Sequence, residues 1–138
     1  MAYPFPSADW LKALEEALNS DARYADVARN WEGDLVFDIQ PDTGGSSGAS
    51  STLLYLDLWH GKCRSSRVLA PPGDSPKVKF TLRAPRANFL NILGGAIDPM
   101  QAMLTRKLIV DGDMIYMMRN VPVVLDFVRC AKSVGVAP

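Results

Sequence analysis

This sequence has little of what most enzymes and nucleic-acid-binding proteins need. Its 138 residues include a single histidine, His60, and two cysteines, Cys63 and Cys130, which form no CxxC pair. Fifteen basic residues balance fifteen acidic ones, so nothing supplies the positive field that nucleic-acid binding requires. The sequence also has no glycine-rich phosphate loop and no GxGxxG motif. We therefore expect no nucleic-acid partner and no cofactor.

The titratable residues do not form a recognisable catalytic or metal-binding set. His60 falls in a predicted turn, where an exposed histidine is more common than a general base. Asp98 and Asp113 directly precede predicted helices and are expected to cap them. Asp111 has no further ligands at metal-binding spacing around it. We expect no catalytic residue and no metal site, and the chain is not expected to be an enzyme.

No segment resembles a targeting sequence or a membrane span. The start, MAYPFPSADW, lacks a basic region followed by an apolar run, so no signal peptide is expected. No apolar run approaches about 18 residues. Cys63 and Cys130 are expected to be free thiols in a reducing compartment. We expect a cytoplasmic protein with one domain over residues 1–138.

Two helices are predicted at the beginning of the chain, within residues 1–31. Ser7 can cap the first helix, and its apolar residues recur at helical spacing at Trp10, Leu11, Leu14 and Leu18. The second helix is predicted from about Asp21 to Trp31, with Tyr24, Val27 and Ala28 on the same stripe. Both stripes are expected to pack against a sheet.

Five strands are predicted from alternation of apolar and polar residues. They cover residues 33–39, 53–59, 63–69, 77–83 and 107–111. The glycine- and serine-rich residues 41–52 predict a flexible hairpin loop, and the proline-rich residues 70–76 predict a second loop. Hairpin connections favour a largely antiparallel sheet covered on one face by helices, which is an α+β fold.

Four further helices surround the last strand. Pro85 suits the start of the first, and a Gly-Gly pair ends it. Asp98 followed by proline begins the second, and Asp113 can cap the third. Pro122 is expected to restart the chain as a final helix over residues 120–134, with Gly135 at its exit. Residues 33–118 then form the central part of the domain.

Methionine is concentrated in the last part of the chain. Five of the six methionines are Met100, Met103, Met114, Met117 and Met118. Methionine is unbranched and polarizable, so it suits spaces that must fit varied apolar shapes. Helically spaced methionine and leucine also form ordinary core. The pattern favours an apolar cavity over a catalytic cleft but leaves both cavity wall and packed core open.

The motifs between residues 81 and 114 resemble those of the sterol carrier protein-2 family, the non-specific lipid-transfer proteins. Each motif alone is weak, but their order over about forty residues is specific. The family often has glycine before the Lys-Leu pair, where this chain has Arg106. The matching segments are TL at 81–82, FLNILG at 89–94, DPMQA at 98–102 and KLIVDGDM at 107–114.

The resemblance implies an SCP2-like fold with an apolar tunnel that binds fatty acids, acyl-CoAs, sterols or other isoprenoids. The sheet would form one wall, and the methionine-bearing and final helices would form the other. The lipid-binding residues implied in this way are Phe80, Leu82, Phe89, Leu93, Ile97, Met100, Met103, Leu104, Leu108, Val110, Met114, Met117, Met118, Leu125 and Val128.

Two functions remain open beside a disfavoured third. The first is lipid binding with transfer, and the second is an accessory module that presents a lipid or quinone precursor to a partner enzyme. An enzyme acting on an acyl or steroid substrate is disfavoured by the scarcity of acid-base residues. Transient membrane contact, an enzyme partner and a homodimer all stay open as partners.

Basic residues flank the predicted apolar helices at Arg83, Arg86, Arg106 and Lys107. They form either a solvated face or a rim for a lipid carboxylate, a CoA phosphate or an anionic membrane. The final helix is a candidate gate because proline precedes its apolar stripe and could act as a hinge.

Overall fold

The computed structural model describes residues 3–41, 51–70, 73–74 and 76–135. Within these ranges the chain forms a mixed α+β fold with a five-stranded sheet, which confirms the predicted fold class. The predicted loops at 41–52 and 70–76 lie partly outside the described residues. The elements in chain order are α1 (Ala8–Ser20), α2 (Ala22–Val27), β1 (Leu35–Gln40), β2 (Thr52–Trp59), β3 (Lys62–Val68), β4 (Phe80–Pro85), α3 (Arg86–Leu93), α4 (Pro99–Leu104), β5 (Ile109–Gly112), α5 (Met114–Arg119) and α6 (Val121–Val134).

The sheet has the order β3-β2-β1-β4-β5. The pairs β1–β2, β2–β3 and β4–β5 are antiparallel, as predicted for a largely antiparallel sheet. The pair β1–β4 is parallel. After the β1-β2-β3 meander, the chain returns to the free edge of β1 and places β4 there. This return puts two inward-facing residues, Phe37 and Leu82, opposite each other at the centre of the sheet.

The strand alternation directs one face of the sheet toward the helices. Leu35, Phe37 and Ile39 of β1 belong to the main buried cluster together with α1, α3 and α6. The opposite face carries a much smaller cluster around Val36 and Tyr55. This division follows from the period-two geometry of a strand.

Helix α1 forms as its pattern predicts. The Ser7 hydroxyl accepts a hydrogen bond from the Trp10 amide at 3.1 Å, which satisfies one of the free N–H groups of the first turn. Trp10, Leu14 and Leu18 are completely buried. Full burial of side chains of this size is the main source of stability in a domain of this length.

Helix α2 is shorter than predicted, because it ends at Val27 rather than near Trp31. Trp31 is nevertheless buried: its ring stacks on Phe80 at 5.6 Å, and its Nε1 donates to the Gly33 carbonyl at 2.9 Å. These contacts require the chain to leave the helical path after Ala28. The apolar spacing was therefore a correct sign of burial but a wrong sign of helix.

Strand β4 begins at Phe80 rather than at Lys77. Its partner β1 begins only at Leu35, so the residues before Phe80 have no strand to pair with. The Lys79 amide instead donates to the Asp34 carboxylate at 3.0 Å. At the other end, Pro85 is the last strand residue and the N-cap of α3.

The β2–β3 hairpin turns over two residues with positive φ, His60 at 51° and Gly61 at 81°. Two positive φ angles are typical of the turn that matches the twist of a hairpin. A side chain at Gly61 would lie 2.5 Å from the Ala25 carbonyl oxygen, so the turn also packs tightly against α2. None of the helices in the described ranges has the length and apolar character needed to cross a bilayer.

Candidate functional site

An apolar cavity of about 70 Å³ lies between the inner face of the sheet and helices α3 to α6. The surface that faces it is apolar throughout, and the cavity is partly open at its rim. A space of this size and chemistry repels water because it offers no hydrogen-bond partners. It is lined by Phe5, Tyr24, Trp31, Leu35, Phe37, Leu58, Leu82, Phe89, Ile92, Leu93, Pro99, Met103, Leu108, Met117, Val123, Val124, Phe127 and Val128.

The sheet side of the cavity is built around Phe37 on β1. Its ring contacts Phe89 of α3 with centroids 5.6 Å apart and Phe127 of α6 at 5.9 Å. Aromatic pairs at these distances and tilts are favourable beyond the area that they bury. Side chains from β1, α3 and α6 therefore support this wall together.

The helical side contains two methionines on two short helices. The Asp98 carboxylate caps α4 by accepting from the Met100 and Gln101 amides at 3.0 and 3.1 Å. This cap fixes the start of α4 so that Met103 faces the cavity. The Asp113 carboxylate caps α5 in the same way at 3.0 Å, and Met117 is the one α5 residue that is fully buried. Both predicted caps are confirmed.

Tyr116 connects α5 to the segment before β1. Its hydroxyl accepts a hydrogen bond from the Glu32 amide at 2.8 Å. Its ring packs edge-on against Trp31 at 5.1 Å, and the Lys79 Nζ lies 3.6 Å from the ring centroid. A cation at that distance over an aromatic face is attracted to it. Tyr116 is thus the side chain that positions α5 over the cavity.

Helix α6 is fixed by a cluster of charges at its centre. Asp126 is buried, and its carboxylate accepts from Arg129 at 2.8 Å and lies 3.4 Å from Arg23. Arg129 also donates to Asp21 at 2.8 Å, and this hydrogen bond lowers the pKa of Asp21 to about 2. The ligand atoms of Asp21, Asp126 and Cys130 lie within 4.8 Å of one another. Because Arg129 already occupies both carboxylates, we interpret this cluster as an ion-pair network.

The predicted lipid-binding residues divide into two groups in the structure. Seven of them line the cavity: Leu82, Phe89, Leu93, Met103, Leu108, Met117 and Val128. The other eight lie outside it. Phe80 is buried beside Trp31, whereas Ile97, Met100 and Val110 are half-buried. Leu104, Met114, Met118 and Leu125 lie on the surface, with 78%, 38%, 55% and 42% exposure.

The division has a physical reason. Helices α4 and α5 each have six residues, so each can turn only part of its surface inward. Met103 and Met117 take those positions, and their neighbours Leu104 and Met118 point away. Two of the five methionines in this part of the chain line the cavity, and the sequence could not show which ones face it.

Eleven lining residues were absent from the predicted set. Tyr24 and Trp31 belong to the second predicted helix, and Leu35 and Phe37 belong to the first predicted strand, but nothing in their spacing distinguishes a cavity wall from packing. Of the others, Phe5 and Leu58 come from segments without a predicted site residue, whereas the rest lie beside predicted site residues on α3, α4 and α6: Ile92, Pro99, Val123, Val124 and Phe127.

The two cysteines and the histidine are poorly placed for catalysis at the cavity. Burial raises the pKa of Cys63 to about 12 and that of Cys130 to about 11, so neither thiol ionises at neutral pH. His60 Nε2 lies 2.6 Å from the Glu32 carboxylate on the surface, and neither residue lines the cavity. Burial also raises the pKa of Tyr24. The lining can therefore contribute apolar contact and little acid-base chemistry.

The sequence matches a family model over residues 11–124, and that model is described as the SCP-2 sterol transfer family. The match extends well beyond the motifs at 81–114, into α1 and α6. A search of curated proteins finds no match to this chain.

Solved structures agree with the family match. A crystal structure of sterol carrier protein 2 superimposes with a TM-score of 0.82 at 25% identity, covering 94% of this chain and 98% of the other. A conserved hypothetical protein of Thermus thermophilus superimposes with a TM-score of 0.80 at 25% identity, covering 96% and 90%. The sterol carrier protein domain 2 of Helicoverpa armigera shares the fold, with a TM-score of 0.60 at 20% identity and coverage of 96% of each chain.

Proposed function

The chain belongs to the SCP-2 sterol transfer family, and we propose on that basis that it binds the apolar part of a lipid in its cavity and transfers it. The observation that carries the proposal is the cavity itself, whose facing surface is apolar throughout. Such a lining favours an acyl, sterol or isoprenoid group and offers no specific polar anchor.

The hydrophobic effect alone is sufficient for useful affinity. Each buried methylene contributes about 0.8 kcal/mol, so ten contribute about 8 kcal/mol before the costs of ordering. A net binding free energy of about 8 kcal/mol corresponds to a Kd near micromolar, so a micromolar ligand must bury more than ten methylenes to offset those costs as well. Because the driving force has no direction, we expect several lipid classes to bind with similar affinity.

A long ligand requires the cavity to widen. Its volume of about 70 Å³ is smaller than that of typical ligand pockets, which are roughly 300–1,000 Å³. The side chains best suited to move aside are Met103 and Met117, because methionine has three rotatable bonds and no branch. They also lie on helices of six residues each, which are easier to displace than α6 with its 14 residues.

Helix α6 is a poor candidate for the moving part. Phe127, Cys130 and Ala131 are buried in the main core, and Asp126 is paired with two arginines. Removal of the chain after Val121 would therefore expose core and unfold the protein rather than open a gate. We favour α5 as the element that moves during ligand exchange.

The test is lipid uptake by matched methionine variants. Met117→Asp places a carboxylate against the apolar lining and should abolish binding of a fluorescent fatty acid, because burying an unpaired charge is strongly unfavourable. Met118→Asp is the control, since it is the same change one residue along the same helix but on the exposed side. It should bind as the wild type does.

A second variant protects the test against loss of folding. Val128→Phe fills the cavity without adding charge and should weaken binding while circular dichroism stays native. Normal binding by folded Met117→Asp and Val128→Phe would contradict the proposal. Native mass spectrometry of the purified protein, followed by solvent extraction, would identify any lipid that co-purifies.

An accessory role is the second candidate. The ubiquinone synthesis protein UbiJ-SCP2 shares the fold, with a TM-score of 0.56 at 19% identity. The same fold also forms 16% of the chain of a sec-alkyl sulfatase, with a TM-score of 0.57 at 18% identity. The fold is thus found both alone and inside an enzyme. Extraction of a prenylated aromatic compound would favour the accessory role, whereas acyl lipids or sterols would favour a carrier.

A further inference from the structure

Helix α5 presents an apolar face to solvent. Met114, Ile115 and Met118 are 38%, 69% and 55% exposed. Residues three and four apart share one side of a helix, so these three side chains form a continuous patch. We call them the docking face. An exposed apolar patch on a small protein is commonly a binding surface.

The charges around the docking face favour an anionic partner. Arg119 lies four residues after Ile115, on the same side of the helix, and Lys79 lies over the Tyr116 ring. Neither cation forms a salt bridge within the described ranges. Of the two nearest acids, Asp111 pairs with Arg83 at 3.2 Å, and Asp113 caps α5 at the end of the helix opposite Arg119.

A second basic pair follows α4. Arg106 and Lys107 are exposed, come shortly after the 78% exposed Leu104, and form no salt bridge in the described part of the chain. Exposed apolar and cationic side chains together are typical of segments that lie in the interface of an anionic bilayer.

The size of the docking face argues for a bilayer rather than a protein. A stable protein interface uses roughly 20–30 residues on each side. The docking face has three side chains on a helix of six residues. A fluid lipid surface can surround such a small protrusion, whereas a folded partner would need a larger complementary area.

The docking face also lies next to the cavity. Met117, which lines the cavity, is adjacent in sequence to Met118, which belongs to the docking face. Helix α5 is thus a single layer of protein between the cavity and the outside. We propose that α5 docks on an anionic membrane through Met114, Ile115 and Met118, so that lipid enters the cavity directly from the bilayer; this rests on the function proposed above.

The experiment is vesicle flotation with phosphatidylcholine vesicles that do or do not contain phosphatidylglycerol. The wild type should float with the anionic vesicles, and Ile115→Glu and Met118→Glu should each bind about tenfold more weakly, because an apolar contact is lost and an anion is added. Val68→Glu is the control, since Val68 is 40% exposed on β3, outside the docking face. It should bind like the wild type. Arg119→Glu should reduce the salt-sensitive part of binding to the anionic vesicles.

Fatty-acid binding without vesicles separates this proposal from the function on which it rests. Variants that lose vesicle binding and still take up fatty acid support docking through α5. A wild type that binds fatty acid but no vesicle overturns the docking proposal alone, and a wild type that binds neither overturns both. An equal loss of vesicle binding in Val68→Glu would also overturn the docking proposal. So would a wild-type dimer, detected by light scattering, that Ile115→Glu dissociates.

Discussion

Helices α1 and α5 use apolar residues in opposite ways. In α1 the four residues Trp10, Leu11, Leu14 and Leu18 are all at least 99% buried. In α5 only Met117 is fully buried, and three other apolar side chains face solvent. Helix α1 contributes leucine and tryptophan side chains to the packed core, whereas α5, in which three of six residues are methionine, lies at the rim of the cavity.

The difference indicates that the elements that stabilise the fold are not the elements that adapt to a ligand. A closely packed region cannot admit a ligand without losing contacts, whereas a short helix with few buried side chains can move at low cost. We infer that α1, α2 and the centre of α6 form the stable part, and that α4 and α5 form the adaptable part.

The largest expected effect is a truncation in α1. Leu14→Ala should lower the free energy of unfolding by about 2–5 kcal/mol, because it leaves a cavity in a site that cannot collapse. Met118→Ala should change it by no more than about 0.5 kcal/mol. Urea denaturation measures both. Similar losses in the two variants would show that α1 and α5 do not differ as described.

The next effect is a loss of stability at alkaline pH through the buried thiol of Cys63 on β3. Burial holds the pKa of Cys63 at about 12, while an unfolded thiol has a pKa near 8.5. The stability that is linked to this thiol is complete below pH 8.5. It is lost as pH rises toward 12, because the thiol releases its proton first in the unfolded state. At pH 10 the loss is about 2 kcal/mol.

The control for that prediction is Cys63→Ala. The stability of this variant should fall less steeply between pH 8.5 and 10 than that of the wild type. In addition, a thiol reagent should label Cys63 and Cys130 only after urea unfolds the protein. Rapid labelling of either thiol in the native state would contradict their burial.

Acid should weaken the charge network that joins α2 to α6. The pKa of Asp21 is about 2 because Arg129 donates to it, so its contribution is present above pH 4 and is lost as pH falls toward 2. Arg129→Met should therefore be less stable than the wild type at pH 7, and the difference should shrink toward pH 2. Arg29→Met is the control, since Arg29 pairs with an exposed carboxylate. A difference that does not depend on pH would exclude this explanation.

The parts of the fold that local patterns determine were predictable from the sequence. Ser7, Asp98 and Asp113 cap the helices that their positions indicated, and the alternation of β1 and β2 fixed the inward face of the sheet. Capping and alternation depend on residues that are close in sequence, so they can be recognised without knowledge of the tertiary structure. The SCP2-like fold was instead implied by the resemblance of the motifs at 81–114 to a known family.

The orientation of α5 was not predictable in this way. Its side chains are almost all apolar, so periodicity assigns no preferred inward face. The orientation depends on Tyr116, whose hydroxyl accepts from an amide 84 residues earlier in the chain. Contacts over such distances arise only from the assembled fold. This is why Met117 lines the cavity and Met114 does not.

The smallest expected effect tests that orientation directly. Tyr116→Phe removes the hydrogen bond from the Glu32 amide but keeps the ring contacts with Trp31 and Lys79. Stability should fall by about 0.5–1.5 kcal/mol. If α5 is the moving wall, the dissociation rate of a bound fluorescent fatty acid should rise, because the closed position of the helix loses part of its stabilisation.

Tyr55→Phe provides the matched control. The Tyr55 hydroxyl donates to Asp34 at 2.9 Å on the opposite face of the sheet, so the loss of stability should be similar. The ligand dissociation rate should not change, since Tyr55 belongs to the smaller cluster away from the cavity. A faster rate in Tyr116→Phe alone would identify α5 as the gate. An equal increase of the ligand dissociation rate in both variants would mean that ligand exchange follows global stability. The contrast between α1 and α5 would then have no functional consequence.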